Sequence, residues 1–193
     1  MCGRTVVINP HAVVEWFEIQ DPPEAFLVPR YNIAPSQPLP VVRTPHRLEL
    51  LRWGITRAGR APQINTRVES IVRTLGRQRC LVTVDGSYEW QRNVAQNQPF
   101  LLRDLDGHPF ALGGVWSSAA TADGEVVESV SVLTCPPHPP VAAIHERMPL
   151  VIPKEAYGRW LDANADVSDL LNPCWHAPRS DACFHVRELA QER

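Results

Sequence analysis

Proline makes up 19 of the 193 residues, and this abundance limits the fold more than any other feature of the sequence. Proline has no amide N–H and disrupts the interior of helices and central strands, and its average usage is only about 5%. The sequence therefore predicts short, interrupted strands and many turns. With 44% hydrophobic and 21% charged residues, the chain can bury one sizeable core. We expect an α+β fold in a single domain, residues 1–193.

Short apolar runs and turn residues outline the elements of this fold. A helix is expected from Pro10 to about Phe17, because Asn9 and Pro10 form a typical helix start. Two more helices are expected at 70–75 and 154–161, and loops at 31–36, 56–63 and 135–140. Residues 88–90 are placed at a strand start or in a loop. Strands are predicted at 5–8, 39–42, 48–53, 80–84, 100–102, 110–116, 126–133, 150–152 and 184–186.

The sequence carries no signal for a membrane or an oxidising compartment. No apolar run reaches the roughly 18 residues of a membrane span, and the N-terminus lacks the apolar segment of a signal peptide. The five cysteines are an odd number with irregular spacing, which argues against a disulfide framework. They are Cys2, Cys80, Cys135, Cys174 and Cys183. We therefore expect a cytoplasmic protein.

A zinc site is a weak alternative for some of these cysteines. Cys174 and His176 form a Cys-x-His pair, and Cys183 and His185 repeat it. Structural zinc usually needs two or more residues between paired ligands, and a motif without its structural context is weak. We expect no metal and no cofactor.

Positive charge is concentrated in one stretch of the chain. Residues 43–79 hold nine arginines and two acids, a net +7, although the whole chain has a net charge of −2 and the remainder carries −9. Such a stretch can follow a phosphate backbone, since guanidinium groups bind phosphate in a bidentate manner. It can equally be a solvated basic face. Charge alone does not decide between these readings.

Cys2 would be unusually reactive as the first residue of the mature chain. Because its side chain is small, the initiator Met1 is readily removed, which leaves an amine and a thiol on one residue. Their ordinary pKa values are about 7.7–8.0 and about 8.5, so each is partly nucleophilic at neutral pH. Such a 1,2-aminothiol condenses with an aldehyde, first as a Schiff base and then as a thiazolidine ring. The alternative is an idle terminus.

Three other polar residues stand in apolar surroundings. Glu89 lies between two aromatic residues, where desolvation would raise its pKa and suit it to proton transfer. His145 follows a proline-rich loop and titrates in a useful range. Asn65 could orient a sugar hydroxyl or a carbonyl. Taken singly, each also fits an ordinary role on a strand, in a loop or in a turn.

Seven short segments together resemble, in order, the blocks of the SOS-response-associated peptidase (SRAP) family. They run from Met-Cys-Gly-Arg at the N-terminus to Ile-His-Glu-Arg-Met-Pro, and they occupy 1–4, 30–36, 52–54, 64–70, 79–82, 85–90 and 144–149. No single segment is specific, but their joint occurrence in this order is. The resemblance reaches from residue 1 to about residue 152.

The resemblance implies one α+β domain with a mixed, barrel-like sheet and short flanking helices. It also implies a sensor of abasic sites in single-stranded DNA, which forms a covalent thiazolidine crosslink through Cys2 and removes its own initiator residue. Such a protein would be a self-processing cysteine peptidase with lyase-like Schiff-base chemistry. We expect a monomer that acts in the cytoplasm, on the nucleoid when bound to DNA, with no membrane partner.

Matching the blocks assigns roles to individual residues. The family's catalytic residues fall on Cys2, Asn65, Glu89 and His145. In these roles Glu89 opens the sugar ring and moves protons, Asn65 holds the opened sugar, and His145 lies by the 3′ phosphate. The DNA contacts fall on Arg4, Asn32, Pro35, Arg67, Trp90, Thr134 and Arg147.

The chain departs from the family pattern at several positions. Thr5 replaces an aromatic residue, and the segment 55–59 lacks a tryptophan that helps to separate stacked bases at a strand junction. Trp53 or the additional arginines could partly substitute for it. Arg73 and Arg77 are both candidates for a further phosphate contact. Thr83-Val84 and Ser87 also differ from the usual residues, and the part after Leu161 matches poorly.

Two other functions fit parts of the sequence. A non-catalytic module for single-stranded DNA could use the basic stretch, with Trp53 and Trp90 as stacking platforms. A class II glutamine amidotransferase also begins Met-Cys-Gly and uses an N-terminal cysteine nucleophile. The glutamine-pocket motifs of that class are missing here.

Overall fold

A computed structural model describes residues 2–57, 59–71, 78–91, 97–120, 124–171 and 184–189. Four short α-helices lie among these residues: α1 (Pro10–Trp16), α2 (Val68–Ile71), α3 (Pro139–Ala142) and α4 (Tyr157–Leu161). Three 3₁₀ helices span Glu24–Phe26, Lys154–Ala156 and Ser168–Leu171. The strands are β1 (Arg4–Val7), β2 (Arg30–Ile33), β3 (Pro38–Thr44), β4 (Arg47–Trp53), β5 (Ile55–Arg57), β6 (Arg60–Gln63), β7 (Asn65–Arg67), β8 (Arg79–Val84), β9 (Gly86–Gln91), β10 (Gln98–Asp104), β11 (Phe110–Ala120), β12 (Val126–Cys135), β13 (Met148–Pro149), β14 (Val151–Ile152) and β15 (Phe184–Glu188).

Five strands close into a barrel. Their order is β12, β4, β3, β8 and β11, and the pairing of β11 with β12 completes the ring. The β12–β4 pair is parallel, with Val130 opposite Trp53, whereas the other four pairs are antiparallel. The barrel is therefore mixed. The expectation of an α+β fold with a barrel-like core is confirmed.

The core fills the barrel because the strands present apolar side chains to its interior. All six residues of β8 are buried, as expected for its apolar run. Trp53 and Trp160 are among the largest fully buried side chains. The Trp160 indole, on α4, donates from Nε1 to the Cys80 carbonyl oxygen at 2.9 Å, which satisfies the polar edge of a buried ring.

A second, antiparallel sheet packs beside the barrel, and its strand β9 follows barrel strand β8 after a single residue. Its order is β15, β10, β9, β1 and β2, and Asp85 links β8 of the barrel to β9 of this sheet. The buried Asp85 carboxylate accepts hydrogen bonds from the amides of Ile8 (2.5 Å) and Asn9 (2.9 Å). Asp85 thus holds the end of β1, and the start of α1 behind it, against the β8–β9 junction.

The start of α1 confirms the sequence interpretation. The Asn9 side chain accepts a hydrogen bond from the amide of Ala12 at 3.1 Å, and Pro10 occupies the first turn. This is the expected N-cap arrangement, because proline has no N–H to leave unsatisfied there.

Several expected loops contain regular structure. The segment 56–63 forms most of a two-stranded hairpin, β5–β6, and the segment 31–36 begins within β2. Residues 88–90 lie inside β9, and the proline-rich loop at 135–140 runs into α3. The short strand β7 was not predicted. For β2 and β7 the pairing partner is distant in sequence, so local propensity gave no signal.

Other expectations fall partly outside the described residues. The helix expected at 70–75 begins earlier, as α2, and residues 72–77 are not among those described. Cys174, His176 and Cys183 are likewise outside them. Among the helices that the structure describes, none is long and apolar enough to cross a membrane.

Gly114 provides a test of the barrel packing. A Cβ at this position would lie 2.8 Å from Cys80 Sγ and 3.1 Å from the Val82 side chain. We expect Gly114→Ala to lower the free energy of unfolding by about 1–3 kcal/mol through overpacking, measured by urea denaturation.

Gly158 on α4 is the matched control, since a Cβ there meets open space. Gly158→Ala should raise the free energy of unfolding by about 0.5–1 kcal/mol through helix propensity. An unchanged or increased stability of Gly114→Ala would contradict the packing described for β8 and β11.

Candidate active site

Cys2 is fully buried immediately before β1. The strand is held on both sides, by β2 and by β9, with Arg4 opposite Tyr88. The expected strand after the N-terminal motif is therefore present. Pairing on two sides fixes the position of Cys2, since backbone hydrogen bonds prevent fraying.

Asn65 contacts Cys2 directly. Its Nδ2 donates a hydrogen bond to the Cys2 carbonyl oxygen at 2.7 Å. Asn65 begins β7, and the parallel pairing of Asn65 with Val132 on β12 brings it there. Its Oδ1 is buried and accepts no hydrogen bond within the described part of the chain. A buried acceptor of this kind is suited to a ligand hydroxyl.

Glu89 is electrostatically coupled to Cys2. The Glu89 side chain, on β9, is only 1% exposed. Burial raises the pKa of the Cys2 thiol far above its ordinary value, and the negative charge of Glu89 raises it further, although the amide of Arg4 lowers it. The Cys2 thiol is therefore protonated at neutral pH, with a carboxylate nearby that could take its proton.

His145 lies in the turn between α3 and β13. Its Nδ1 accepts a hydrogen bond from the amide of Arg147 at 3.0 Å, which fixes the ring. The same turn is tied to β9, because Gln91 Nε2 donates to the Ala143 carbonyl oxygen at 3.0 Å. Gln91 and Glu89 are two residues apart on this strand, so their side chains lie on the same face of the sheet. The contact with Gln91 therefore holds the turn that carries His145 on the face that carries Glu89.

Two groups of expected DNA contacts flank this centre. On the β1–β2 side, Arg4 donates to Asn32 Oδ1 at 2.7 Å. Pro35, in the turn after β2, is half-buried. Trp90 is also half-buried and lies 6.2 Å from the Tyr88 ring, centroid to centroid. Arg4 lies on β1, the strand that follows Cys2, and Trp90 lies on β9, which pairs with β1.

The second group lies where β7, β12 and β13 meet. Arg67 is exposed and pairs with the fully buried Thr134 across the β7–β12 ladder. Arg147 is largely buried and donates to both Thr134 oxygens. Its guanidinium also forms a bidentate ion pair with Glu69, at 2.7 and 2.9 Å. This ion pair raises the pKa of Arg147 and lowers that of Glu69.

Part of the basic stretch is used inside the fold. Arg43 pairs with Glu49 at 2.7 Å and with Glu128 at 2.5 Å, and its guanidinium stacks over a tryptophan ring. Arg79 is buried and donates to the carbonyl oxygens of Trp160 and Asp162. Arg47, Arg52, Arg60 and Arg67 are exposed. Arg73 and Arg77 lie outside the described residues.

Trp53 does not serve as a stacking surface. It is fully buried, and its Nε1 donates to the Ile64 carbonyl oxygen at 2.9 Å. This removes one of the two aromatic platforms suggested for a non-catalytic binding module. It also means that Trp53 does not replace the missing tryptophan of the 55–59 segment.

Glu69 and Gln91 were missed by the sequence interpretation. Glu69 lies inside the 64–70 family block, close to Arg67, so its position in the sequence could have marked it as a site residue. Gln91 had none, because its partner is a backbone carbonyl 52 residues away.

One group of described residues could in principle ligate a cation. The ligand atoms of Asp104, Asp106 and His108 lie within 4.8 Å of one another. The Asp104 carboxylate already accepts from the amides of Asp106 (3.0 Å) and His108 (3.2 Å), which is the pattern of an ordinary turn. The group is unrelated to Cys2.

Known proteins share both the fold and the sequence pattern. A crystal structure of a Bacteroides thetaiotaomicron protein superposes with a TM-score of 0.83 at 17% identity, covering 98% of this chain and 92% of that one. This likeness defines the class: small barrel proteins with the same topology. The family model described as "SOS response associated peptidase (SRAP)" matches residues 1–191, and the chain belongs to this family.

Curated relatives have related names. The abasic site processing protein YobE of Bacillus subtilis is 28% identical over 189 residues, covering 89% of this chain and 86% of YobE. The abasic site processing protein YedK of Escherichia coli is 27% identical over 179 residues, covering 83% and 79%. The resemblance seen in the sequence blocks is confirmed at the level of the family.

The coupling of Glu89 to Cys2 is testable through the thiol. We expect Glu89→Gln to lower the pKa of Cys2, because the variant removes a negative charge that opposes the thiolate. Peptide-resolved alkylation across pH 7–10 measures this, and each unit of pKa change corresponds to about tenfold in thiolate fraction.

Cys80 is the internal control, since burial also raises its pKa but Glu89 is not among the causes. Faster alkylation of Cys2 with no change at Cys80 is the expected result. Equal profiles for Cys2 in both proteins would show that the Glu89 charge does not act on the thiol.

Proposed function

We propose that this protein processes abasic sites in single-stranded DNA by forming a covalent thiazolidine crosslink through Cys2 after Met1 is removed. Membership of the SRAP family and the names of its curated relatives support this function. The observation that carries it is the arrangement around Cys2. The residue is buried, bonded to Asn65 and coupled to the Glu89 carboxylate.

The proposed reaction begins with the sugar aldehyde. An abasic deoxyribose is mostly a closed hemiacetal. Glu89 donates a proton to the ring oxygen as the C1–O4′ bond breaks, and the C1 hydroxyl releases its proton to solvent, so that C1 becomes the aldehyde. Asn65, with its buried Oδ1 acceptor, holds the freed hydroxyl. The Cys2 amine then attacks the aldehyde carbon, and loss of water gives an imine. Positioning accounts for most of the rate, since the aminothiol is intrinsically reactive.

The thiol completes the ring. Glu89 takes the Cys2 thiol proton as the sulfur adds to the imine carbon, and this proton passes to the imine nitrogen. The C–S bond forms, the C=N bond becomes a single bond, and no electrons leave the system. His145, held beside Arg147, assists proton transfer near the 3′ phosphate.

The DNA strand is proposed to follow the two groups of expected contact residues on either side of this centre. Arg4, Asn32, Pro35 and Trp90 line one side, and Arg67, Thr134 and Arg147 the other. Trp90 offers a partly exposed ring on which a base could stack. The exposed arginines of the basic stretch add sequence-independent attraction for phosphates.

The remaining expectations are part of the same proposal. Hydrolysis of the Met1–Cys2 peptide bond, by the protein itself, frees the amine that the reaction needs. The chain acts as one domain and as a monomer, in the cytoplasm and on the nucleoid when bound to DNA. The chemistry needs neither a metal nor a cofactor.

A denaturing gel tests the crosslink. Protein whose N-terminus is verified by mass spectrometry is mixed with an abasic single-stranded oligonucleotide and with the same strand undamaged. We expect a shifted band with abasic DNA alone. Cys2→Ala should abolish the band, because both the thiol and the thiazolidine ring are lost.

Cys80→Ala is the matched control, as it removes another fully buried thiol on a barrel strand. It should retain the band. If protein that begins at Cys2 gives no band, or if Cys2→Ala still gives one, the thiazolidine mechanism is wrong.

A further inference from the structure

The ion pair between Glu69 and Arg147 stands at the place where a phosphate is expected. The Arg147 side chain is 10% exposed and that of Glu69 is 53% exposed. The carboxylate therefore lies on the solvent side of the guanidinium and covers its N–H groups. A planar carboxylate bound by two parallel N–H groups has the geometry that a phosphate also adopts with arginine.

Glu69 is close to a second arginine as well. The positive charge of Arg67 contributes to lowering the pKa of Glu69, after the larger effect of the hydrogen bonds from Arg147. One carboxylate thus interacts with both arginines on this side of the site. Any anion that approaches Arg67 and Arg147 from solvent must meet the Glu69 carboxylate.

Arg147 and Glu69, the two partners of this ion pair, differ in how firmly the rest of the structure holds them. Arg147 is fixed by the Thr134 carbonyl and hydroxyl oxygens, by its position before β13 and by burial. Glu69 lies on a helix of only four residues, α2. Arg147 Nε is buried, so a phosphate from solvent would have to bind the Nη groups that Glu69 now occupies. Of the two partners, Glu69 is the more exposed and is therefore the one that a ligand from solvent would displace.

We propose that Glu69 is an internal competitor that occupies the phosphate subsite of Arg67 and Arg147, and that the DNA backbone must displace it to bind. This inference rests on the proposed function for the nature of the ligand. Displacement exchanges one anion for another at Arg147, so the contact adds less affinity than a vacant arginine would. Glu69 thereby weakens reversible binding to any single strand, damaged or not.

The experiment measures reversible binding apart from crosslinking. Fluorescence anisotropy with a labelled, undamaged single strand is recorded for wild type and Glu69→Gln between 50 and 300 mM salt. Glutamine keeps one acceptor for Arg147 but loses the charge. We expect Glu69→Gln to bind about 3–10-fold more tightly at low salt, and the gain should shrink as salt screens it.

Asp169→Asn is the matched control. Asp169 forms an ion pair with Arg159 at 2.6 Å, and its side chain is 52% exposed, close to the 53% of Glu69. Neither residue is among the expected DNA contacts or in the basic stretch, so this variant should bind like wild type. Thermal unfolding of all three proteins verifies folding. Equal or weaker binding by a folded Glu69→Gln would overturn the proposal, because Glu69 would then hold Arg147 in place for DNA instead of competing with it.

The outcome is separable from that of the crosslinking test. If Glu69→Gln binds undamaged DNA more tightly but no abasic crosslink forms in any protein, the competitor role stands and the thiazolidine mechanism fails. If crosslinks form but Glu69→Gln gains no affinity, the competitor role fails alone.

Discussion

The barrel and the candidate site both depend on the pairing of one strand, β12. Along its first part, β12 pairs with β4 on one side and β11 on the other, which closes the barrel. Towards its C-terminal end the partners change to β7 and β13. Asn65 and Arg67 lie on β7, and Arg147 immediately precedes β13. The strand that closes the core therefore also collects the polar residues of the site at one end.

The arginines of the basic stretch differ in whether their side chains are paired inside the fold or exposed. Arg43 and Arg79 have their donors taken by carboxylates or carbonyl oxygens inside the structure. The arginines at 47, 52, 60 and 67 are exposed, although Arg47 Nη2 lies 3.9 Å from Glu49 Oε1. The net +7 of the stretch thus overstates the charge that a strand of DNA would meet. At the site itself Glu69, one of the two acids already counted in this net charge, pairs with Arg147, which lies outside the stretch.

Sequence reasoning named the candidate site residues as one set but not the contacts that connect them. The α1 N-cap and the buried strand β8 followed from local signals, Asn9-Pro10 and a short apolar run. Asn65, Glu89 and His145 were selected for their chemistry and by the family blocks. That Asn65 bonds the Cys2 backbone depends on β7, a three-residue strand whose partner, β12, lies more than 60 residues further along the chain. No local pattern encodes such a parallel pairing.

The burial of Cys2 fixes the order of events in the proposed reaction. A free aminothiol would offer both nucleophiles at neutral pH, since the two ordinary pKa values are close. Here burial and the Glu89 charge raise the pKa of the thiol, so sulfur is the weaker nucleophile while the aldehyde is free. The amine, once Met1 is gone, is the group that can act. Sulfur adds only after the imine exists, when Glu89 is near enough to accept its proton. The fold therefore reinforces the order, amine first and thiol second, that a 1,2-aminothiol also follows in free solution.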